Sequence, residues 1–156
     1  NIYITPSDAA ADCKLEKAFR ELSIGAETKP RSFIVNGREV EMPKTAEGVA
    51  YATFDDLCAR PLGPGDYLAF AQAFHTMVMK DVPVMGPNSR NEAKRFVTLI
   101  DALYEARVKL ICSAEVGPDK LYTEGDEAFE FERTVSRLIE MQSSEYMALP
   151  HDPAAA

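Results

Sequence analysis

The chain has 156 residues, enough for one domain with its own core or for a domain with a short appendage. Its 46% hydrophobic and 27% charged content is that of a folded protein, and no apolar run reaches the ~18 residues a membrane helix needs. A net charge of -8, with acids and bases interspersed, argues against a surface built to neutralise a nucleic-acid backbone.

Three widely spaced cysteines (Cys13, Cys58 and Cys112) contain no C-x-x-C pair. They point to neither a zinc knuckle nor a disulfide framework, and a reducing cytosol fits best. The first residue is Asn and the opening lacks the basic-then-apolar layout of a signal peptide, so the natural start is expected to have been removed.

In chain order, Ser7 and Asp8 are capping residues for a helix to about residue 22, with Leu15, Ala18, Phe19 and Leu22 on one stripe. Asn36-Gly37 between Phe33-Ile34-Val35 and Arg38-Glu39-Val40 is a strong hairpin signal. A strand over 49–53 follows a loop over 43–48, and Thr53 with Asp56 opens a short helical turn. Pro61-Leu62-Gly63-Pro64-Gly65 punctuates the chain, after which Asp66 is expected to cap a helix over 67–74. A strand around 76–79 ends before Pro83. Ser89-x-x-Glu92 then reads as a capping box for a helix whose Phe96, Leu99, Ile100, Leu103 and Tyr104 share one face. Arg107 closes it, the nearly continuous apolar run 108–114 reads as a buried parallel strand, and an amphipathic helix follows.

These elements predict an α/β fold in which a β-α-β-α unit with parallel strands follows a helix and a small antiparallel hairpin patch. The expected boundaries are 1–60 for the helix and hairpin, 61–148 for the β-α-β-α unit, and 149–156 for a disordered tail. Such a sheet commonly holds a nucleotide, yet no G-x-x-x-x-G-K-[ST] loop occurs anywhere in the chain.

The stretches DYLAFAQAFHTMVMKDVPVM, NEAKRFVTLIDALYEARVKLICSAEV and FERTVSRLIEMQSSEYM resemble the C-terminal portion of the ZapE cell-division ATPase family, which includes mitochondrial AFG-one-like ATPases. The resemblance is close over 53–146 and weaker over the first fifty residues. It implies a Rossmann-like half sheet of an AAA+ type P-loop ATPase using ATP and Mg2+, with the phosphate loop N-terminal to this segment. It further implies the N-terminal P-loop domain and a tubulin-like division protein as partners, homo-oligomerisation, and a bacterial cytoplasm with recruitment to the division septum. The chain alone would then be inactive. The other reading is a non-catalytic interaction module that offers the hairpin half, 31–53, to a division or client protein.

Candidate site residues follow. Arg133 and Arg137 lie four apart on one helix and share a face. Their functional reading is an arginine finger or sensor, Arg137 foremost; the plain one is pairing with Glu130, Glu132 or Glu140. Arg90, Lys94 and Arg95 form a basic cluster in the first turns of the middle helix, against its dipole, suited to a phosphate or an acidic partner. The alternative is salt bridging to Glu92, Asp101 or Asp81. A looser similarity to initiator ATPases would put Asp81 near a metal, Ser113 at a sensor position and Arg137 at a finger position. Asp81 lacks the second acid such sites carry, so this reads as a structural echo. His75 has no ligand partner at metal spacing and reads as a packing residue.

Overall fold

Six strands form one sheet in the order β1-β6-β5-β4-β3-β2. The computed structural model describes residues 1–125 and 128–155. The strands are β1 (Tyr3–Ile4), β2 (Lys29–Val35), β3 (Arg38–Ala46), β4 (Val49–Thr53), β5 (Thr76–Val82) and β6 (Lys109–Ala114). The helices are α1 (Ala9–Leu22), α2 (Phe54–Cys58), α3 (Pro64–Ala73), α4 (Arg90–Glu105), α5 (Ala128–Glu140) and α6 (Ser144–Met147). β1, β6, β5 and β4 run parallel, and β3 and β2 continue the sheet antiparallel. The α/β class is therefore as the sequence predicts. One sheet nevertheless runs through both expected halves, because β4 pairs with β5 in register from Val49↔Thr76 to Thr53↔Lys80.

Alternation along the central strands sorts the core onto two faces. Met77, Met79, Leu110 and Cys112 face the larger core with α2 to α6, whereas Val78, Ile111, Val49 and Tyr51 face α1. Both central strands are buried on both sides, which is why their sequence reads as an apolar run. Burial pushes the Cys112 thiol up to about 12 and the Cys58 thiol higher still, so both act as small hydrophobes.

The turns carry the register. Asn36 and Gly37 both have positive φ, 51° and 78°, which closes the hairpin in the primed geometry that suits strand twist. Glu47-Gly48 repeats this at 51° and 78° where the sequence suggests only a loop, because Glu at a left-handed position is not a recognisable turn signal. Pro43 lies inside β3, an interior strand. The pairing slips there, from Lys29↔Thr45 to Arg31↔Met42, so a bulge absorbs the residue that cannot donate.

Three expectations change. Ser89 does not cap α4: its hydroxyl accepts from Gly86 N at 2.8 Å, and a 3₁₀ turn, Pro87–Ser89, leads into the helix. Asp66 is not an N-cap but the third helical residue, since Pro64 opens α3 behind Gly63 and the Asp66 carboxylate reaches back to Gly63 N at 2.8 Å. The final residues are not loose among those described. Lys109 Nζ donates to Leu149 O at 2.5 Å, the His151 ring meets Ala71 O at 2.7 Å, and Asp152 N donates to Ala106 O at 2.8 Å.

Helices α1 and α4 end alike, with the two reverse bonds of a Schellman turn: Gly25 N to Arg20 O and Ile24 N to Glu21 O in α1, Val108 N to Leu103 O and Arg107 N to Tyr104 O in α4. The left-handed position is held by Ile24 (φ 55°) and Arg107 (φ 57°) instead of glycine. A β-branched residue is strained there, and Ile24 is 87% exposed, so burial returns nothing. Ile24→Gly is expected to raise stability by about 0.5–1 kcal/mol, the relieved strain less the entropy glycine adds to the unfolded chain, read as a higher urea midpoint at unchanged slope.

Candidate functional site

In open α/β sheets ligands bind beyond the carboxyl ends of the parallel strands, so the fit of ATP and Mg2+ is tested there first. A phosphate cradle requires several free backbone N–H groups at a strand-to-helix turn. After β1, Asp8 N bonds Pro6 O at 3.1 Å and the Asp8 carboxylate takes Ala11 N at 2.9 Å, placing an anion where phosphate would sit. After β4 the Asp56 carboxylate takes Thr53 N at 3.0 Å. Beyond β5, Asp81 N donates to Ser113 Oγ at 2.9 Å, Met85 N to Leu121 O at 2.7 Å, and Gly86 N to Ser89 Oγ. After β6, Glu115 N bonds Val82 O at 3.0 Å. The turns spend these amides internally, and two of the helix starts already hold carboxylates. Among the described residues no cluster of three His, Cys, Asp or Glu could hold a metal ion. Among the described residues these turns do not fit a primary ATP·Mg2+ site.

Two of the residues linked by the looser similarity do meet. Asp81 sits at a register break between β5 and β6, with φ 64°, and its N–H is fixed by the buried Ser113 hydroxyl. Ser113 follows Ile111 on the α1 face, where Lys80 also pairs with Asp12 at 3.5 Å. Burial, with Glu16, Asp12 and Asp81 nearby, pushes the Tyr51 phenol on this face up to about 12. Arg137 lies on the opposite face of the sheet, on α5, and is not brought to that pair.

Around Arg137 the geometry is a clamp between α4 and α5. Its guanidinium donates to Asp101 Oδ1, lies 3.6 Å from Glu105, and sits 4.8 Å from the Tyr104 ring centroid. Tyr104 donates to Glu140 at 2.8 Å, a bond that raises its pKa. Arg133 Nη2 donates to the other Asp101 oxygen at 3.0 Å. The partners are thus acids of the neighbouring helix rather than Glu130, Glu132 or Glu140 on α5 itself. The side chain of Arg137 is 21% exposed and that of Arg133 61%, so Arg133 is the more accessible guanidinium. The sequence suggests Asp101, which joins the two, only as a salt-bridge partner of Arg90, Lys94 and Arg95, whereas the structure pairs it with Arg133 and Arg137. Its only signal is that Asp101, Tyr104 and Glu105 share one helix face at i, i+3 and i+4.

The basic cluster is divided. Arg95 turns inward and donates to Cys58 O at 3.0 Å, tying α4 to α2, while Arg90 and Lys94 are exposed and each is engaged. His75 is satisfied locally, with Nδ1 at 2.8 Å from Thr76 Oγ1 and Nε2 at 3.2 Å from Glu47 O. Among the described residues no helix is long and apolar enough to cross a membrane.

The family model for AFG1-like ATPase matches residues 1–150. Lactation elevated protein 1 homolog B of Danio rerio is 32% identical over 179 residues, covering 93% of this chain and 36% of that protein. Cell division protein ZapE of Escherichia coli (strain K12) is 33% identical over 151 residues, covering 97% of this chain and 40% of that protein. No solved structure gives a significant match. The chain therefore spans well under half the length of these relatives, and it belongs to the AFG1-like ATPase family.

Proposed function

We propose that this chain is the P-loop-free C-terminal portion of an AFG1-like ATPase that acts in bacterial cell division, completing its fold and presenting α5 at a subunit interface. The observation that carries this reading is the family match over 1–150 in a chain whose described strand-to-helix turns leave no phosphate cradle. ATP and Mg2+ would be held by residues outside this chain. A cytoplasmic site with recruitment to the septum, homo-oligomer formation, and contact with the tubulin-like division protein belong to the same reading. They are supported by the likeness to the Escherichia coli cell division protein.

The test is a chimera in which this chain replaces the matching segment of that relative. The reading expects the chimera to turn over ATP and the relative lacking the segment to be inactive. Activity of the truncated relative equal to that of the chimera would refute it.

Within this reading Arg133 is the residue available to a neighbour's nucleotide, and Arg137 is a positioning residue that holds α5 on α4. In the chimera, Arg133→Ala is expected to lower kcat by at least about 10³-fold with little change in nucleotide affinity, the range seen when a finger arginine is lost. Arg137→Ala is expected to lower the unfolding midpoint and to reduce kcat much less. The reverse pattern would make Arg137 the finger.

A further inference from the structure

The start of α5 carries a feature that the ATPase reading does not use. Phe129 is 82% exposed, an unusual placement for a large aromatic side chain in the first turn of a helix. It stands at a cavity of about 370 Å³ whose wall includes Tyr122, Phe131 and Val135. Tyr122 is 4% exposed, and its hydroxyl has no hydrogen-bond partner among the described residues. Its ring meets Phe131 edge-on at 5.4 Å, and the Gly125 backbone lies so close that a Cβ there would come within 2.2 Å of the phenol oxygen. The hydroxyl is thus covered by the Gly125 backbone, and what the cavity wall presents is aromatic and apolar surface.

Its rim is acidic. Asp119 and Glu132 line the cavity, Glu130 and Arg133 share the next surface hollow with Phe129, and none of the three acids forms an ion pair among the described residues. An aromatic wall presents a negative face to a cation, and unpaired carboxylates around an apolar anchor are the complement of a basic, partly apolar segment.

We propose that this cavity docks a partner protein through a segment combining lysine or arginine with a large apolar side chain. The apolar group would pack on Phe129, and the cation would face Asp119 and Glu132. The net charge of -8 disfavours a second copy of this chain as the occupant. The site adjoins the α5 face given above to a neighbouring subunit, since Arg133 lines the hollow beside Phe129, but its test involves no nucleotide and so fails or succeeds separately from the ATPase reading.

The test is calorimetric titration of the whole chain with a synthetic peptide of alternating leucine and lysine, beside one of alternating leucine and glutamate. The lysine peptide is expected to bind saturably, more weakly as salt rises, and the glutamate peptide not to bind. Phe129→Ala and Glu132→Lys should each weaken binding by roughly tenfold or more. Both residues are exposed, so an unchanged thermal midpoint for the variants is the folding control. No saturable binding, or equal binding to wild type and both variants, would overturn the proposal. So would self-association of the chain that Phe129→Ala abolishes, because the occupant would then be a second copy.

Discussion

Arg38→Ala is expected to cost about 3–5 kcal/mol, although its side chain is 53% exposed and by exposure alone looks dispensable. The reason lies in its partner. Asp66 is 1% exposed, and Arg38 Nη2 reaches both of its oxygens, at 2.9 and 3.0 Å. Removing the guanidinium leaves a buried carboxylate with only the Gly63 N–H for company. Asp66→Ala should cost less, about 2–3 kcal/mol, because the freed Arg38 returns to water while the lost bonds are charge-assisted ones. The contact ties the β2–β3 hairpin to α3, adding a side-chain tie to the β3–β4 pairing that already joins the antiparallel strands to the parallel sheet. Urea unfolding measures both variants. A cost for Arg38→Ala below that of Asp66→Ala would show that water, not the guanidinium, compensates the buried charge.

Phe96→Ala should destabilise the fold by about 3–5 kcal/mol through the cavity it leaves. Phe96 is 1% exposed and lies between two rings, with Phe54 of α2 at 5.9 Å and Phe131 of α5 stacked at 6.0 Å. It therefore links the sheet-covering helices to the helix that carries Arg133 and Arg137. Losing it should loosen α5 first, since Phe131 is among the few residues buried from that helix. Hydrogen exchange in the variant should accelerate in α5 more than in α1, which packs on the other face of the sheet. Uniform acceleration would mean that α5 has no local dependence on this stack. Phe96→Leu, which keeps most of the volume, should cost less than about 1.5 kcal/mol.

The sequence made the sheet half-legible for identifiable reasons. Strands β5 and β6 and helix α4 were readable because continuous apolar runs and an i, i+3, i+4 stripe report burial directly, and Asn36-Gly37 named its own turn. The Tyr3–Ile4 strand was not readable, since two residues carry no period and are strand only because β6 is beside them. The loop expected over 43–48 is instead strand as far as Ala46 and a two-residue turn at Glu47-Gly48, because pairing with β2 and β4 imposes these conformations against local preference. Ser89-x-x-Glu92 misled because two prolines and Gly86 favour a 3₁₀ turn that engages the Ser89 hydroxyl first. At the candidate site, the sharing of one face by Arg133 and Arg137 was legible, and their partners were not. Asp101 belongs to another helix, and helix-to-helix pairing has no signature in a single segment.

The measurement that bears most directly on the account is ATP turnover by this chain alone, with Mg2+ present and no other protein added. The described strand-to-helix turns close their own amides, and Asp8 and Asp56 place carboxylates at two helix starts. The account therefore predicts phosphate release indistinguishable from the buffer control. Saturable turnover by the purified chain, lost on Arg133→Ala, would contradict it and place a complete nucleotide site within these 156 residues.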